Sequence, residues 1–125
     1  MMLRKIPQAE LKVMKFIWKV GVTVTSKDVI EAMEQKYGWK QTTTLTLLSR
    51  LVKRGFLDAQ KIDRHTYYTI IVKHKDYLNS KAKDFLSNIH DDSLRNLISA
   101  LHDDENIGKD KLDFLESYFD NLKDE

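Results

Sequence analysis

The sequence predicts a mainly α chain with one small β-hairpin, in the order helix, helix, helix, strand, strand, then three further helices. Three observations predict it. Apolar residues recur at helical spacing from Leu11 to Val20, through SKDVIEAMEQKYG and from Thr44 to Gly55; a β-branched and aromatic hairpin follows; and three shorter amphipathic stretches occupy the remainder.

Each element has its own local reason. Pro7 suits the first turn of a helix, and Leu11, Val13, Met14, Ile17, Trp18 and Val20 then form a broad apolar face. Thr25 or Ser26 caps the second helix, where Val29, Ile30 and Met33 share one side and Asp28 and Glu31 lie near the positive helix start. In the third helix Thr44, Leu48, Leu51, Val52 and Gly55 form a packing stripe, while Thr43, Thr46, Arg50 and Lys53 fall on another. Phe56 and Leu57 open a strand, Lys61 to His65 form a polar tip, and Thr66 to Ile71 return as the second strand. Gly21, Gly38, Gly55 and Gly108 stand where the periodicity breaks, as turn or C-cap residues rather than a phosphate-cradling loop.

The last 50 residues carry three stripes: Tyr77/Leu78, Ala82, Phe85/Leu86 and Ile89; Leu94, Leu97/Ile98 and Leu101; Leu112, Leu115, Phe119 and Leu122. Three short helices bury too little surface to stand alone, so they are expected to pair with a second copy. The chain is therefore divided into residues 1–72, three helices and a hairpin, and residues 73–125, a helical dimerisation domain.

Composition narrows the function classes. Charged residues make up 32% and apolar residues 42%, as in globular chains. The absence of cysteine excludes disulfides, thiolate metal sites and a cysteine nucleophile. No signal-peptide core and no membrane-length apolar run is present, so no membrane insertion and a cytoplasmic location are expected. The net charge of +2 hides an asymmetry: residues 1–75 hold 15 Lys/Arg against 6 Asp/Glu, and residues 76–125 hold 6 against 13. A basic front and an acidic rear suit a polyanionic partner.

An apolar-backed Thr/Arg/Lys helix that runs into a basic hairpin has the sequence form of a helix-turn-helix recognition helix followed by a wing, so residues 1–72 are expected to be a winged-helix DNA-binding domain. Thr42, Thr43 and Thr46 are the candidate base contacts, because recognition helices enter the major groove by their N-terminal end and threonine offers both a hydroxyl and a methyl. Lys40, Arg50, Lys53 and Arg54 are candidates for phosphates, and Lys61, Arg64 and His65 for wing contacts to the backbone or minor groove. Trp18 reads as core and Trp39 as packing at the turn into the third helix; Tyr67 and Tyr68 face opposite sides of their strand. The four histidines lack zinc-helix or triad spacing, and His90 and His102, each followed by two aspartates, read as helix-end residues rather than metal ligands. No cofactor, metal or catalytic residue is nominated, and the chain reads as a non-enzyme.

The stretch WKQTTTLTLLSRLVKRGFLDAQKIDRHTYY, with AELKVMKFIW before it, resembles the penicillinase-repressor (BlaI/MecI/CopY) family, most specifically at Thr43, Thr46, Arg50, Leu51, Lys53 and Gly55. The resemblance implies a dimeric winged-helix repressor on a palindromic operator of double-stranded DNA. Leu78, Phe85, Leu86, Ile89, Leu94, Leu97, Ile98, Leu101, Leu112, Leu115, Phe119 and Leu122 become the dimerisation set. Copper-sensing members carry a cysteine-rich tail, which this chain lacks. Members released by a membrane sensor protease carry an Asn-Phe cleavage pair, and Ala100 and Leu101 of LISALHD stand in that place. The rival reading is a winged-helix adaptor whose basic face meets an acidic protein instead of DNA.

Overall fold

A computed structural model describes residues 5–104 and 107–123, with side chains through Ser117. Its elements are α1 (Gln8–Val20), β1 (Val24–Thr25), α2 (Ser26–Tyr37), α3 (Gln41–Lys53), β2 (Leu57–Ile62), β3 (His65–Ile70), α4 (His74–Ser87), α5 (Asp91–His102) and α6 (Lys109–Lys123). The expected order is present with one addition. The strand β1 is two residues long and pairs Val24 with Tyr68 and Thr25 with Tyr67, giving an antiparallel sheet of order β1-β3-β2. The chain divides into two compact units, one ending at Tyr77 and the other beginning at Leu78.

In the first unit, the cap of α2 is Thr25 rather than Ser26. Its hydroxyl accepts from the Asp28 amide at 3.2 Å, and the Asp28 carboxylate accepts from the Thr25 amide at 3.0 Å. This reciprocal capping box satisfies two otherwise unpaired donors at the helix start. Pro7 is the N-cap of α1. At the far end of α3, Gly55 has φ +80 and lets the Phe56 amide return to the Leu51 carbonyl at 3.0 Å, which turns the chain sharply from helix into β2.

The core gathers Val13, Met14 and Ile17 of α1, Val29 and Met33 of α2, Leu47, Leu48 and Leu51 of α3, and Phe56, Leu57 and Tyr68 from the sheet side. Leu47, absent from the expected packing stripe, belongs to it, while Gly55 lies beyond the helix. Trp18 is half-buried rather than fully internal: its indole N–H donates to the Val72 carbonyl at 2.9 Å and its ring stacks on His74 at 4.5 Å. Tyr77 closes this cluster edge-on to Phe56. Burial pushes the Tyr68 phenol above its ordinary pKa.

Among the described residues one charged side chain lies in this core. Glu10 on α1 is fully buried, and its Oε1 accepts from Arg54 Nε at 2.8 Å, with the Arg54 side chain 33% exposed. Glu10 Oε2 has no hydrogen-bond partner among the described residues. A desolvated carboxylate is tolerable only while its counterion stays in place.

In the second unit Leu94 of α5 and Leu112 of α6 are buried, and the His102 ring sits 2.6 Å from the Glu116 carboxylate. Leu78, Phe85 and Leu97 are exposed, and Leu86, Ile89, Ile98, Leu101 and Leu115 are half-buried. Leu94 and Leu112 are thus spent on packing within one chain, whereas the other described members of the expected dimerisation set keep accessible surface. The side chains of Phe119 and Leu122 lie outside the described residues. Among the described residues no helix is long and apolar enough to cross a membrane.

Two stability measurements follow from this core. Arg54→Ala strands the Glu10 charge and is expected to cost about 3 kcal/mol, whereas Glu10→Leu combined with Arg54→Leu costs far less; urea unfolding of both variants tests this. A raised folded-state pKa leaves the Tyr68 contribution whole below about pH 10 and removes it as pH rises further. Unfolding midpoints followed from about pH 8 to about pH 11 should fall more steeply for the wild type than for Tyr68→Phe.

Candidate nucleic-acid interface

Helix α3 has two faces that its sequence alone half resolves. Thr44, Leu47, Leu48 and Leu51 are buried; Thr42, Thr43, Leu45, Thr46, Ser49, Arg50 and Lys53 are exposed. With about 100° between successive residues, the direction opposite the buried stripe passes through Thr42, Ser49 and Lys53, with Thr43 and Arg50 on one flank and Leu45 on the other. The expected contacts Thr42, Thr43, Thr46, Arg50 and Lys53 therefore share one accessible surface.

Hydroxyl accounting separates the threonines. The Thr46 hydroxyl donates to the Thr42 carbonyl at 2.9 Å, so its one proton is spent on the helix and it keeps only acceptor capacity and a methyl. Thr44, the middle of the Thr run, is fully buried with its hydroxyl unpartnered among the described residues. At the helix start the N-cap is Lys40, with no side-chain cap, so the first-turn amides receive no side-chain acceptor. Beside it Trp39 stacks on Tyr37 at 5.0 Å, and the Lys12 ammonium lies 4.8 Å from the Tyr37 ring centre. Trp39 is the packing residue expected at this turn.

The cations divide by partner. Among the described residues neither Arg50 nor Lys53 forms a salt bridge, and both are exposed. Arg54, expected beside them, points its Nε at Glu10 instead. That commits its Nε to the core, while the side chain as a whole stays 33% exposed. Sequence reading missed it because the partner, Glu10, lies 44 residues away and looks like an ordinary first-turn acid of α1.

The hairpin tip is tighter than the five-residue stretch the sequence suggested. Ile62 pairs with His65, leaving Asp63 and Arg64 as a two-residue turn with φ +50 and +73. Two consecutive left-handed residues are the mark of a type I′ turn, which asparagine and glycine usually occupy. Strand alternation then separates the expected wing residues: Lys61 lies opposite Thr66, on the side that also carries buried Tyr68, and His65 lies on the other side. Arg64 stands at the apex. Tyr67 and Tyr68 face opposite sides, as expected, with Tyr68 in the core.

The remaining histidines take local roles. His90 is the N-cap of α5, with Asp91 and Asp92 in its first turn, and His102 is in its last turn. Among the described residues no group of three or more metal-ligating side chains is assembled. The surface of Leu45 and Ser49 is the part of this interface that sequence reading overlooked; re-centring the helix on Leu47 would have found it.

The penicillinase repressor family model matches residues 6–121. The chain belongs to the penicillinase repressor family. A penicillinase repressor of Bacillus licheniformis is 33% identical over 112 residues, spanning 86% of this chain and 87% of its own length. Among solved structures, the DNA-binding domain of the repressor BlaI in solution matches with a TM-score of 0.55 and 36% identity, over 62% of this chain and 94% of that domain. The monomeric form of Bacillus licheniformis BlaI in complex with the blaP half-operator matches with a TM-score of 0.51 at 36% identity, over 60% of this chain and 90% of that one. The first unit of this penicillinase repressor family member therefore has the winged-helix fold, with α3 in the recognition-helix position and β2–β3 as the wing.

The left-handed turn gives a test of what Arg64 is for. Arg64→Gly relieves a backbone penalty of about 1 kcal/mol, so it is expected to raise the unfolding midpoint. If Arg64 meets phosphate, the same variant lowers the salt slope of duplex binding by about one.

Proposed function

We propose that this chain is a homodimeric, sequence-specific transcriptional repressor that binds a palindromic operator. The observation that carries the reading is the exposed Thr/Arg/Lys face of α3, in one compact unit with a hairpin that carries Lys61, Arg64 and His65 at and beside its turn, in a chain of the penicillinase repressor family. The half-operator complex of the related BlaI supports it. Thr42, Thr43 and Thr46 meet base edges, Thr46 by its methyl and acceptor oxygen. Lys40, Arg50 and Lys53 neutralise phosphates, joined by the uncapped first-turn amides of α3. Lys61, Arg64 and His65 reach the flanking backbone or minor groove from the wing.

Residues 73–125 supply the dimer contacts in this reading, through Leu78, Phe85 and Leu97 together with the half-buried Leu86, Ile89, Ile98, Leu101 and Leu115. Exposed apolar side chains on a small helical unit favour association, because water gains what the surface loses. Two-fold symmetry then places half-sites about 10 base pairs, or a multiple, apart. Occupying a promoter in this way excludes polymerase from the same DNA. Release comes from loss of the dimer, by a membrane sensor protease or its effector cutting at Ala100–Leu101 in the last turns of α5. The protein works in the cytoplasm, without a cofactor.

Duplex-binding titrations test the proposal. With about 6 to 10 phosphates neutralised per dimer, affinity should fall about a thousandfold or more between about 50 and about 200 mM salt. A palindrome should be preferred over scrambled DNA. Leu97→Glu should weaken self-association in sedimentation equilibrium and reduce binding to the palindrome while leaving half-site binding. A flat salt response together with indifference to the palindrome would refute the reading.

A further inference from the structure

Leu45 projects from α3 with 36% of its surface exposed, on the ridge formed by Thr42, Leu45, Thr46 and Ser49 at i, i+3, i+4 and i+7. That ridge contains hydroxyls and hydrocarbon, with no amide, carboxylate or cation. One of its hydroxyls, that of Thr46, has already given its proton to the Thr42 carbonyl. The ridge also belongs to the N-terminal two-thirds of α3, the part of a recognition helix that approaches base edges.

Such a surface lacks the paired donors and acceptors by which amide and guanidinium groups identify adenine and guanine. What it offers is an isobutyl group flanked by threonine methyls. The major groove has one hydrocarbon feature to match it, the C5-methyl of thymine. We infer that Leu45 is a specificity-determining residue, which seats a thymine methyl between its side chain and the methyl of Thr46. This rests on the repressor reading above and adds the base class read by this flank of the helix. Thr43 lies on the opposite flank beside the phosphate-directed Arg50, so polar and apolar contacts to the duplex fall on two sides of the same helix.

The test uses the full chain and begins with selection from a random duplex pool. In the enriched duplex each thymine is replaced in turn by deoxyuridine, which removes the C5-methyl and leaves every hydrogen-bonding group in place. Binding is measured at fixed salt for the wild type and for Leu45→Ala, a helix-favouring change at an exposed site. The expected result is one or two thymines per half-site at which deoxyuridine weakens wild-type binding by about three- to fivefold, with the effect reduced to less than about twofold in Leu45→Ala. Normal binding with no deoxyuridine effect, or an effect that persists unchanged in Leu45→Ala, overturns the inference and leaves the repressor reading standing. Enrichment of no duplex at all overturns both.

Discussion

The ion pair between Glu10 and Arg54 is the constraint on which the reading unit depends. Glu10 is wholly removed from water on α1, and among the described residues only the guanidinium at the C-cap of α3 compensates its charge. Apolar contacts between α1 and α3 tolerate small rotations, because dispersion is non-directional, but a buried carboxylate that loses its one donor does not. The pair therefore holds the last turn of α3 where Gly55 turns the chain into β2. The orientation of the exposed α3 face and the start of the wing are set together.

The threonine run shows how far side-chain identity falls short of side-chain role. Thr42, Thr43, Thr44 and Thr46 look alike as a hydrophilic cluster at a helix start. Folding makes Thr44 a core residue, gives the Thr46 proton to the backbone and leaves Thr42 and Thr43 outward. Thr44 was legible from periodicity, since it falls on the stripe of Leu48 and Leu51. The fate of the Thr46 hydroxyl was not, because back-bonding to the residue four earlier competes with solvent and depends on the rotamer that the surroundings allow.

Long-range consequences account for the other differences between expectation and structure. The strand β1 is too short to carry a periodic pattern and exists because β3 offers it an edge. Arg54 looked like one more cation beside Arg50 and Lys53, and tertiary packing set its Nε against Glu10. In the second unit three helices stand where the apolar stripes predicted them. Which leucines were consumed by α5 against α6 and which remained at the surface could not be read, since amphipathicity is the same for an internal and an external partner.

Sequence by itself determined the order of every element but β1, the apolar and polar sides of α3, the turn glycines, the basic front with its acidic rear, and a resemblance specific enough to name the family. These are local or compositional properties, encoded by spacing within a few turns or strands. Only the tertiary structure decided that Arg54 serves the core and that the wing turns on Asp63 and Arg64 alone. It also decided that Leu45 stands exposed on the reading helix while Leu94 and Leu112 are spent inside their own chain. Each of these depends on what lies opposite a residue in space, and burial and pairing energies are properties of that opposite surface as much as of the residue.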